Sequence, residues 1–184
     1  MRLNKLFLVV LLAGTFSISL MAQEGELARE HPVVKKGKKL PDTEIRTLDG
    51  QSTNLTEYVG TDEKPGKITV ISLWASWCKP CQTELDAIAD LYPDWQEEYD
   101  MQLIAITIDT RRALAKVTPI VESKGWEYII LSDTNQALRN TLNFQSIPHT
   151  LLVDQKGNIV DVHSGYAPGD EYELEDKMKV LYNN

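Results

Sequence analysis

The sequence predicts an α/β sandwich in which helices flank a central mixed β-sheet. Nearly continuous apolar and β-branched stretches, typical of strands buried on both faces of a sheet, alternate with segments of helical periodicity. The chain then ends in two hairpin-like apolar segments and one more amphipathic segment. This order favours one layered α/β domain over a helical bundle or an all-β fold.

The N-terminus has the pattern of an export signal. Arg2 and Lys5 precede an apolar stretch over residues 6–12, which continues in more mixed form to Ala22. The alternative is an uncleaved membrane anchor, but Gly and Ser residues dilute the stretch, and it falls short of the roughly 20 apolar residues that span a bilayer. We therefore expect cleavage after Ala22 and an extracytoplasmic, periplasmic or secreted protein.

Length and charge limit the possible partners. Without residues 1–22 the chain has 162 residues, for which we expect a flexible lead-in over 23–39 and one domain over 40–184. This mature chain has 17 basic and 27 acidic residues, a net charge of −10. Nucleic acid and anionic membrane surfaces are therefore poor partners, and membrane contact is expected only if the signal is retained as an anchor.

The first half of the predicted domain contains a hairpin, a buried strand and a helix. Asp49-Gly50 supplies the positive backbone angles of a tight turn, so residues 40–58 predict a hairpin. Ile68 to Trp74 is apolar and β-branched almost throughout, which predicts a central strand. After Cys81 apolar residues recur at helical spacing as far as Pro93, which should kink or end the helix.

The second half predicts further strands and helices. Residues 101–109 repeat the buried-strand pattern, and residues 114–124 repeat the helical one before Gly125, a residue suited to a helix end. The missing N–H of Pro119 predicts a split of that helix in two. The remaining elements are a strand over 128–131, a helix over 134–142, a hairpin of 150–154 and 158–164 turning at Lys156-Gly157, and a last helix starting at Pro168.

The chain has two cysteines, Cys78 and Cys81, and their spacing indicates chemistry rather than a structural role. A disulfide that closes so short a loop removes little entropy from the unfolded chain. A zinc site would need further ligands, and the chain offers three histidines and no second cysteine pair. We therefore expect a redox pair, with no metal and no cofactor.

The cysteine pair lies where the predicted central strand ends and a helix begins. This places Cys78 at the helix N-terminus and Cys81 about one turn inside. Free N–H groups and the helix dipole favour the thiolate of Cys78 there, and Lys79 adds a positive charge. Pro80 suits the first turn, where its missing N–H is not needed.

These residues carry a resemblance to a known family. Trp77-Cys78-Lys79-Pro80-Cys81, followed later by Ile147-Pro148, resembles the thioredoxin superfamily. The additional strand-helix segment over 101–125, the N-terminal hairpin and the export signal resemble its TlpA/ResA-like branch, from residue 40 to the C-terminus. The resemblance implies a cis peptide between Ile147 and Pro148 that faces the cysteines and leaves the Ile147 backbone free to pair with substrate. The substrate-binding residues it implies are Trp77, Lys79, Pro80, Ile147 and Pro148.

Three positions near the motif need separate interpretation. Ser72 stands where thioredoxins proper keep a buried aspartate, and His149 stands where a threonine is more usual, so His149 could tune the site or only fill surface. Glu84, three residues after Cys81, matches the spacing of a functional glutamate in ResA-like proteins. It could take the Cys81 proton as a catalytic residue, or it could be a solvated glutamate stabilised by the helix dipole.

The function that this pattern predicts is thiol-disulfide exchange. We expect protein disulfide or dithiol substrates outside the cytoplasm and an upstream thiol redox partner. One alternative is a peroxiredoxin-like peroxidase, although the residues before Cys78 lack the Pro-x-x-x-Thr-x-x-Cys pattern of that family. Another is a copper carrier similar to Sco-type proteins, which usually space their cysteines one residue wider.

Overall fold

The computed structural model describes residues 37–183. The predicted export signal, most of the predicted lead-in and the final residue lie outside this range. Within it, no helix is long and apolar enough to cross a membrane. The described residues form an α/β sandwich of the predicted class, in which helices flank a mixed sheet.

The sheet has eight strands among the described residues, in the spatial order β1-β8-β7-β4-β5-β6-β2-β3. β4 pairs parallel with β5 and antiparallel with β7, and β5 pairs parallel with β6, so the sheet is mixed as predicted. The strands are β1 Lys38–Lys39, β2 Glu44–Thr47, β3 Ser52–Asn54, β4 Ile68–Trp74, β5 Met101–Thr107, β6 Ile129–Ser132, β7 His149–Val153 and β8 Asn158–Ser164.

Five α-helices and two 3₁₀ turns connect the strands of the described chain. Pro93 lies in the first turn of the second helix, so the predicted helix after Cys81 does end before this proline and a new one begins. The helices are α1 Lys79–Ala89, α2 Tyr92–Tyr99, α3 Val117–Lys124, α4 Ala137–Leu142 and α5 Asp170–Tyr182, and the 3₁₀ turns are Leu55–Glu57 and Leu114–Lys116.

The core lies on both faces of the central strand. All seven residues of β4 are buried, which confirms the interpretation of Ile68–Trp74 as a two-sided buried strand. From α1, Leu85 and Ile88 pack into the same core cluster. Because α1 is held by this apolar face, its N-terminal end stays fixed at the end of β4.

Glycines form the two predicted turns. Gly50 has φ +90° between β2 and β3, and Gly157 has φ +79° between β7 and β8. A side chain at Gly157 would also meet the carbonyl oxygen of Gly60, because a Cβ there would lie 2.5 Å from it. Both turns therefore need glycine for its backbone freedom.

The lead-in prediction is wrong at its last two residues. Lys38 and Lys39 form β1, which pairs antiparallel with Ile159 and Asn158 of β8. Both lysines are exposed, so no apolar pattern marks this strand. Backbone hydrogen bonds pair it with β8, and the Lys39 ammonium group also donates to the Lys156 carbonyl. The neighbouring Leu40 extends the attachment, since it is buried and its N–H donates to the carbonyl of Gly157 at 2.9 Å.

Two helix starts differ from the sequence prediction. The segment 114–124 begins as a 3₁₀ turn and becomes helical at Val117, so Pro119 stands in the first turn of α3 rather than splitting it. α4 begins at Ala137 instead of residue 134. The Asp133 carboxylate accepts hydrogen bonds from the N–H groups of Ala137 and Leu138, at 2.7 and 2.9 Å, and so fixes where this helix starts.

Candidate active site

The cysteine pair occupies the junction between β4 and α1, as the sequence predicts. Cys78 is the N-cap residue of α1, and its sulfur accepts a hydrogen bond from the Cys81 N–H at 3.3 Å. The two cysteines are joined in a disulfide. Cys78 is 5% exposed and Cys81 is fully buried, so an incoming sulfur reaches the pair from the Cys78 side.

The loop before Cys78 is held by hydrogen bonds from other side chains to the N–H, the hydroxyl and the carbonyl of Ser76. The Asp109 carboxylate accepts from the Ser76 N–H at 2.6 Å and from its hydroxyl at 2.9 Å. The Gln82 amide of α1 donates to the Ser76 carbonyl at 2.9 Å. Asp109 is itself buried and also accepts from Thr107 at 2.7 Å. The loop that carries the cysteines is therefore fixed to both β5 and α1.

Glu84 lies inside the protein, one turn beyond Cys81. It is 4% exposed, and its two oxygens accept hydrogen bonds from Thr150 at 2.7 Å and Ser72 at 2.9 Å. Burial raises the pKa of the Glu84 carboxyl, although both hydroxyl hydrogen bonds work in the opposite direction. The alternative of a solvated helix glutamate is therefore wrong. The raised pKa means that the carboxyl keeps its proton to a higher pH than an ordinary glutamate.

A cleft links Glu84 to the surface between β8 and α5. His163 and Asp170 line this cleft together with Glu84, and the His163 Nε2 lies 3.0 Å from an Asp170 carboxylate oxygen. His163 and Asp170 act on the Glu84 pKa in opposite directions, because a positive charge on the imidazole favours the carboxylate and the second carboxylate opposes it. Polar and charged side chains therefore lie next to the buried carboxyl in this cleft.

His149 is part of the interior next to the site. It is 7% exposed, its ring stacks on Phe144 at 4.7 Å between centroids, and its Nδ1 lies 2.8 Å from the Ser164 hydroxyl. Burial lowers the pKa of the imidazole, because it disfavours the charged form of His149. The alternative in which His149 only fills surface is wrong.

The peptide between Ile147 and Pro148 is cis, as the resemblance implied. His149 pairs with Leu73 in register, so Pro148 directly precedes this pair at the edge of the sheet where the cysteine loop begins. Pro148 is buried and Ile147 is half-buried. On the motif side, Trp77 is 69% exposed, and Lys79 and Pro80 are exposed as well.

The sequence prediction missed two residues that hold the site. Asp109 ends a predicted buried strand, and the carboxyl ends of neighbouring parallel strands lie at the same end of a sheet. Its position next to the cysteine loop can therefore be inferred from the sequence. Thr150, which binds Glu84, had none, because its contact spans 66 residues. Among residues 37–183, no group of three or more His, Cys, Asp or Glu residues could hold a metal ion.

Comparisons with known proteins agree with this geometry. Residues 36–162 match the AhpC/TSA family model. The thioredoxin-like protein YneN of Bacillus subtilis is 27% identical over 88% of this chain and 94% of its own length. The thiol-disulfide oxidoreductase ResA of Geobacillus thermodenitrificans is 26% identical over 74% and 73%, respectively.

Solved structures give the same result. The solution structure of an uncharacterized thioredoxin-like protein from Porphyromonas gingivalis is 36% identical, with a TM-score of 0.68, over 81% of this chain and 95% of that one. The family match covers more than half of the chain, and the ResA relative is named a thiol-disulfide oxidoreductase. The chain therefore belongs to the AhpC/TSA family, as a TlpA/ResA-like thiol-disulfide oxidoreductase of the thioredoxin superfamily.

Proposed function

We propose that this oxidoreductase exchanges disulfides with protein substrates outside the cytoplasm, using Cys78 as nucleophile, Cys81 as resolving thiol and Glu84 as proton acceptor. The observation that carries the proposal is the bonded pair Cys78–Cys81 at the start of α1, with a buried carboxyl one turn further along. The helix N-terminus favours a thiolate at Cys78 after reduction. The interior position of Cys81 suits a thiol that reacts only with its neighbour.

Each step of the exchange has a group to carry it. The Cys78 thiolate attacks one sulfur of the partner's disulfide, so a mixed disulfide forms and the partner's other sulfur leaves as a thiolate. Cys81 then gives its proton to Glu84 and attacks the Cys78 sulfur, which releases the second partner sulfur. The partner gains two electrons, and the enzyme is left with the Cys78–Cys81 disulfide. An upstream dithiol returns it to the reduced form, and the same steps in reverse oxidise a dithiol.

The proposed substrate surface surrounds the exposed side of Cys78. Trp77 offers an exposed ring, and Lys79 and Pro80 continue the surface along the first turn of α1. Across the sheet edge, Ile147 and the cis Pro148 offer a backbone to which an extended substrate segment could hydrogen-bond. The extracytoplasmic location rests on the N-terminal signal pattern, for which we expect a mature protein that starts near Gln23.

Single cysteine variants test the roles of the two thiols. Cys78→Ser should abolish reduction of a model protein disulfide, because no nucleophile remains at the helix start. Cys81→Ser should still attack and then stall as a mixed disulfide, which mass spectrometry after acid quench detects. Faster alkylation of Cys81 than of Cys78 at mildly acidic pH in the reduced protein would contradict the assignment.

The same preparations separate the alternative functions. A peroxidase would consume hydrogen peroxide in a Cys78-dependent manner without a protein disulfide. A copper carrier would show charge-transfer absorbance on titration with copper, because thiolates are soft ligands. We expect the protein to be active in the disulfide assay, and peroxide consumption faster than disulfide reduction would contradict the proposal.

A further inference from the structure

A second cleft opens at the same end of the sheet as the active site, next to β5, β6 and β2. Its volume is about 290 Å³, and Arg46, Arg111, Ser132 and Thr134 are among the residues that line it. Neither cysteine and none of the proposed substrate-binding residues belongs to its lining. The cleft is therefore a separate feature of the molecule.

Strand register places this cleft beside the cysteine loop. Trp74 of β4 is paired with Thr107 of β5, Thr107 with Ser132 of β6, and Ser132 with Arg46 of β2. Side chains of directly paired residues project from the same face of a sheet. Since neighbouring strands lie about 4.8 Å apart, Ser132 is roughly 10 Å and Arg46 roughly 14 Å from Trp74 along this row. Trp74 precedes Cys78 by four residues, so the row ends at the start of the active-site loop.

Positive charge in the cleft is only partly neutralised. Arg46 donates to the Gly50 carbonyl at 3.1 Å and contacts the exposed Glu44 carboxylate at 3.4 Å. Arg111 is exposed, and its side chain has no hydrogen bond or ion pair with any residue in the range 37–183. The Asp133 carboxylate next to Ser132 is occupied by two N–H groups of α4. A free guanidinium thus remains at the cleft in a chain whose net charge is −8.

The buried hydroxyl of Ser132 is a second, independent indication of a ligand. Ser132 is 1% exposed and lines the cleft, yet its Oγ has no hydrogen-bond partner among the described residues. A buried hydroxyl without a partner is unfavourable, and such groups are rare in folded proteins. A ligand oxygen in the cleft would accept a hydrogen bond from this hydroxyl after rotation about the Cα–Cβ bond.

We propose that this cleft is a carboxylate-binding subsite for the substrate, in which Arg111 and Arg46 bind the anion and Ser132 donates to it. This proposal rests on the proposed disulfide exchange and adds the charge of the preferred substrate. Planar guanidinium groups match the two oxygens of a carboxylate. Ser132 and Arg46 lie roughly 10 and 14 Å from Trp74, at the start of the active-site loop, which corresponds to about three or four extended residues. We therefore place the carboxylate a few residues from the substrate cysteine. It is an acidic side chain or a chain end of the substrate.

Redox-inert peptides test the binding directly. We would titrate the oxidised protein with acetyl-Ser-Gly-Gly as the free acid and as the amide, and follow the Arg Nε–Hε signals by NMR. The acid should bind about fivefold more tightly at low salt and lose most of this advantage in 0.5 M NaCl. Acetyl-Ser-Gly-Asp-amide against acetyl-Ser-Gly-Asn-amide shows whether a side-chain carboxylate serves as well as a chain end, and either source supports the subsite.

Variants at three arginines locate the effect. Arg111→Gln should remove most of the acid preference, and Arg46→Gln should reduce it. Arg112→Gln is the matched control, because Arg112 is the exposed neighbour of Arg111 and does not line the cleft. The proposal is overturned if acid and amide bind equally to the native protein, or if the preference survives both Arg111→Gln and Arg46→Gln.

The activity measurement separates this proposal from the proposed function. With the disulfide dimers of acetyl-Cys-Gly-Gly acid and amide, the native enzyme should show a KM about fivefold lower for the acid at unchanged kcat. In Arg111→Gln the two KM values should converge. If neither dimer is reduced, disulfide exchange on such substrates fails, while the inert peptides still decide whether the cleft binds carboxylates.

Discussion

Replacement of Glu84 by glutamine should separate the two halves of the exchange reaction. The amide keeps the shape of the side chain, and its oxygen can still accept the hydrogen bond from Thr150, but it cannot take a proton. Attack by Cys78 on the substrate involves no proton transfer to this position, so its rate should change by less than about threefold. Loss of a general base lowers a rate by about 10² to 10⁴. Because the cleft gives water access to the site, we expect the lower end, about 10², for release of the substrate by Cys81.

Release of the substrate by Cys81 should become faster as the pH rises. Burial raises the pKa of Glu84, so the carboxyl is protonated at low pH and accepts a proton only as the pH rises through that raised value. The release rate of the native enzyme should therefore increase as the pH passes through the pKa of Glu84. The release rate of the glutamine variant should not increase there. Stability changes in the opposite sense. The raised pKa stabilises the native fold below the unfolded-state pKa of glutamate, and this contribution is lost as the pH rises through the folded-state value, whereas the variant is unaffected.

A rapid acid quench followed by mass spectrometry measures both rates, because it counts mixed and released species over time. Glu97→Gln is the matched control, since Glu97 is exposed on α2. Mixed disulfide should accumulate in the Glu84 variant and not in the control. Normal turnover of Glu84→Gln between pH 6 and 8, without accumulation, would contradict a proton-transfer role and leave Glu84 as a buried structural carboxyl.

Three further predictions concern other parts of the molecule. Asp109→Asn loses one of the two carboxylate oxygens that bind Ser76 and should lower the free energy of unfolding by about 1–3 kcal/mol; an unchanged denaturation midpoint would count against this role. His149→Phe keeps the stacking on Phe144 and removes a group whose lowered pKa costs stability as the pH falls through its folded-state value, so unfolding free energies at pH 5 and 7.5 should differ less than in the native protein. Gly157→Ala, at φ +79°, should destabilise by about 1–3 kcal/mol, and an unaffected melting temperature would disprove this.

The predictable part of the fold consists of elements that bury apolar side chains. β4 follows from its sequence because both of its faces are covered and every residue is apolar, β-branched or small. β1 does not, because Lys38 and Lys39 are exposed and are held by backbone pairing with β8 and by polar contacts of the Lys39 ammonium group. Apolar periodicity does not predict the start of α4 either, because the Asp133 carboxylate sets it by accepting hydrogen bonds from two following N–H groups.

The same distinction applies to the site. Cys78, Cys81 and Glu84 lie within seven residues on one helix, so their spacing in the sequence gives their relative placement in space. The partners that tune them come from distant strands. Asp109 lies 33 residues from the Ser76 it binds, and Thr150 lies 66 residues from Glu84. Periodicity carries no information on such contacts, because they depend on which strands become neighbours in the sheet.

The position of the buried carboxyl explains how serine is tolerated at residue 72. Ser72 of β4 and Thr150 of β7 are paired in register, so their hydroxyls project from the same face of the sheet, where Glu84 of α1 receives both. The carboxyl therefore reaches from the helix to the strand position where thioredoxins proper keep an aspartate. A side chain on α1 moves with the helix that carries Cys81, whereas one on β4 is fixed to the sheet. Because Glu84, the proposed proton acceptor, and Cys81, the proposed resolving thiol, share one helical face, their separation is set by helix geometry, and the two hydroxyls only orient the carboxyl.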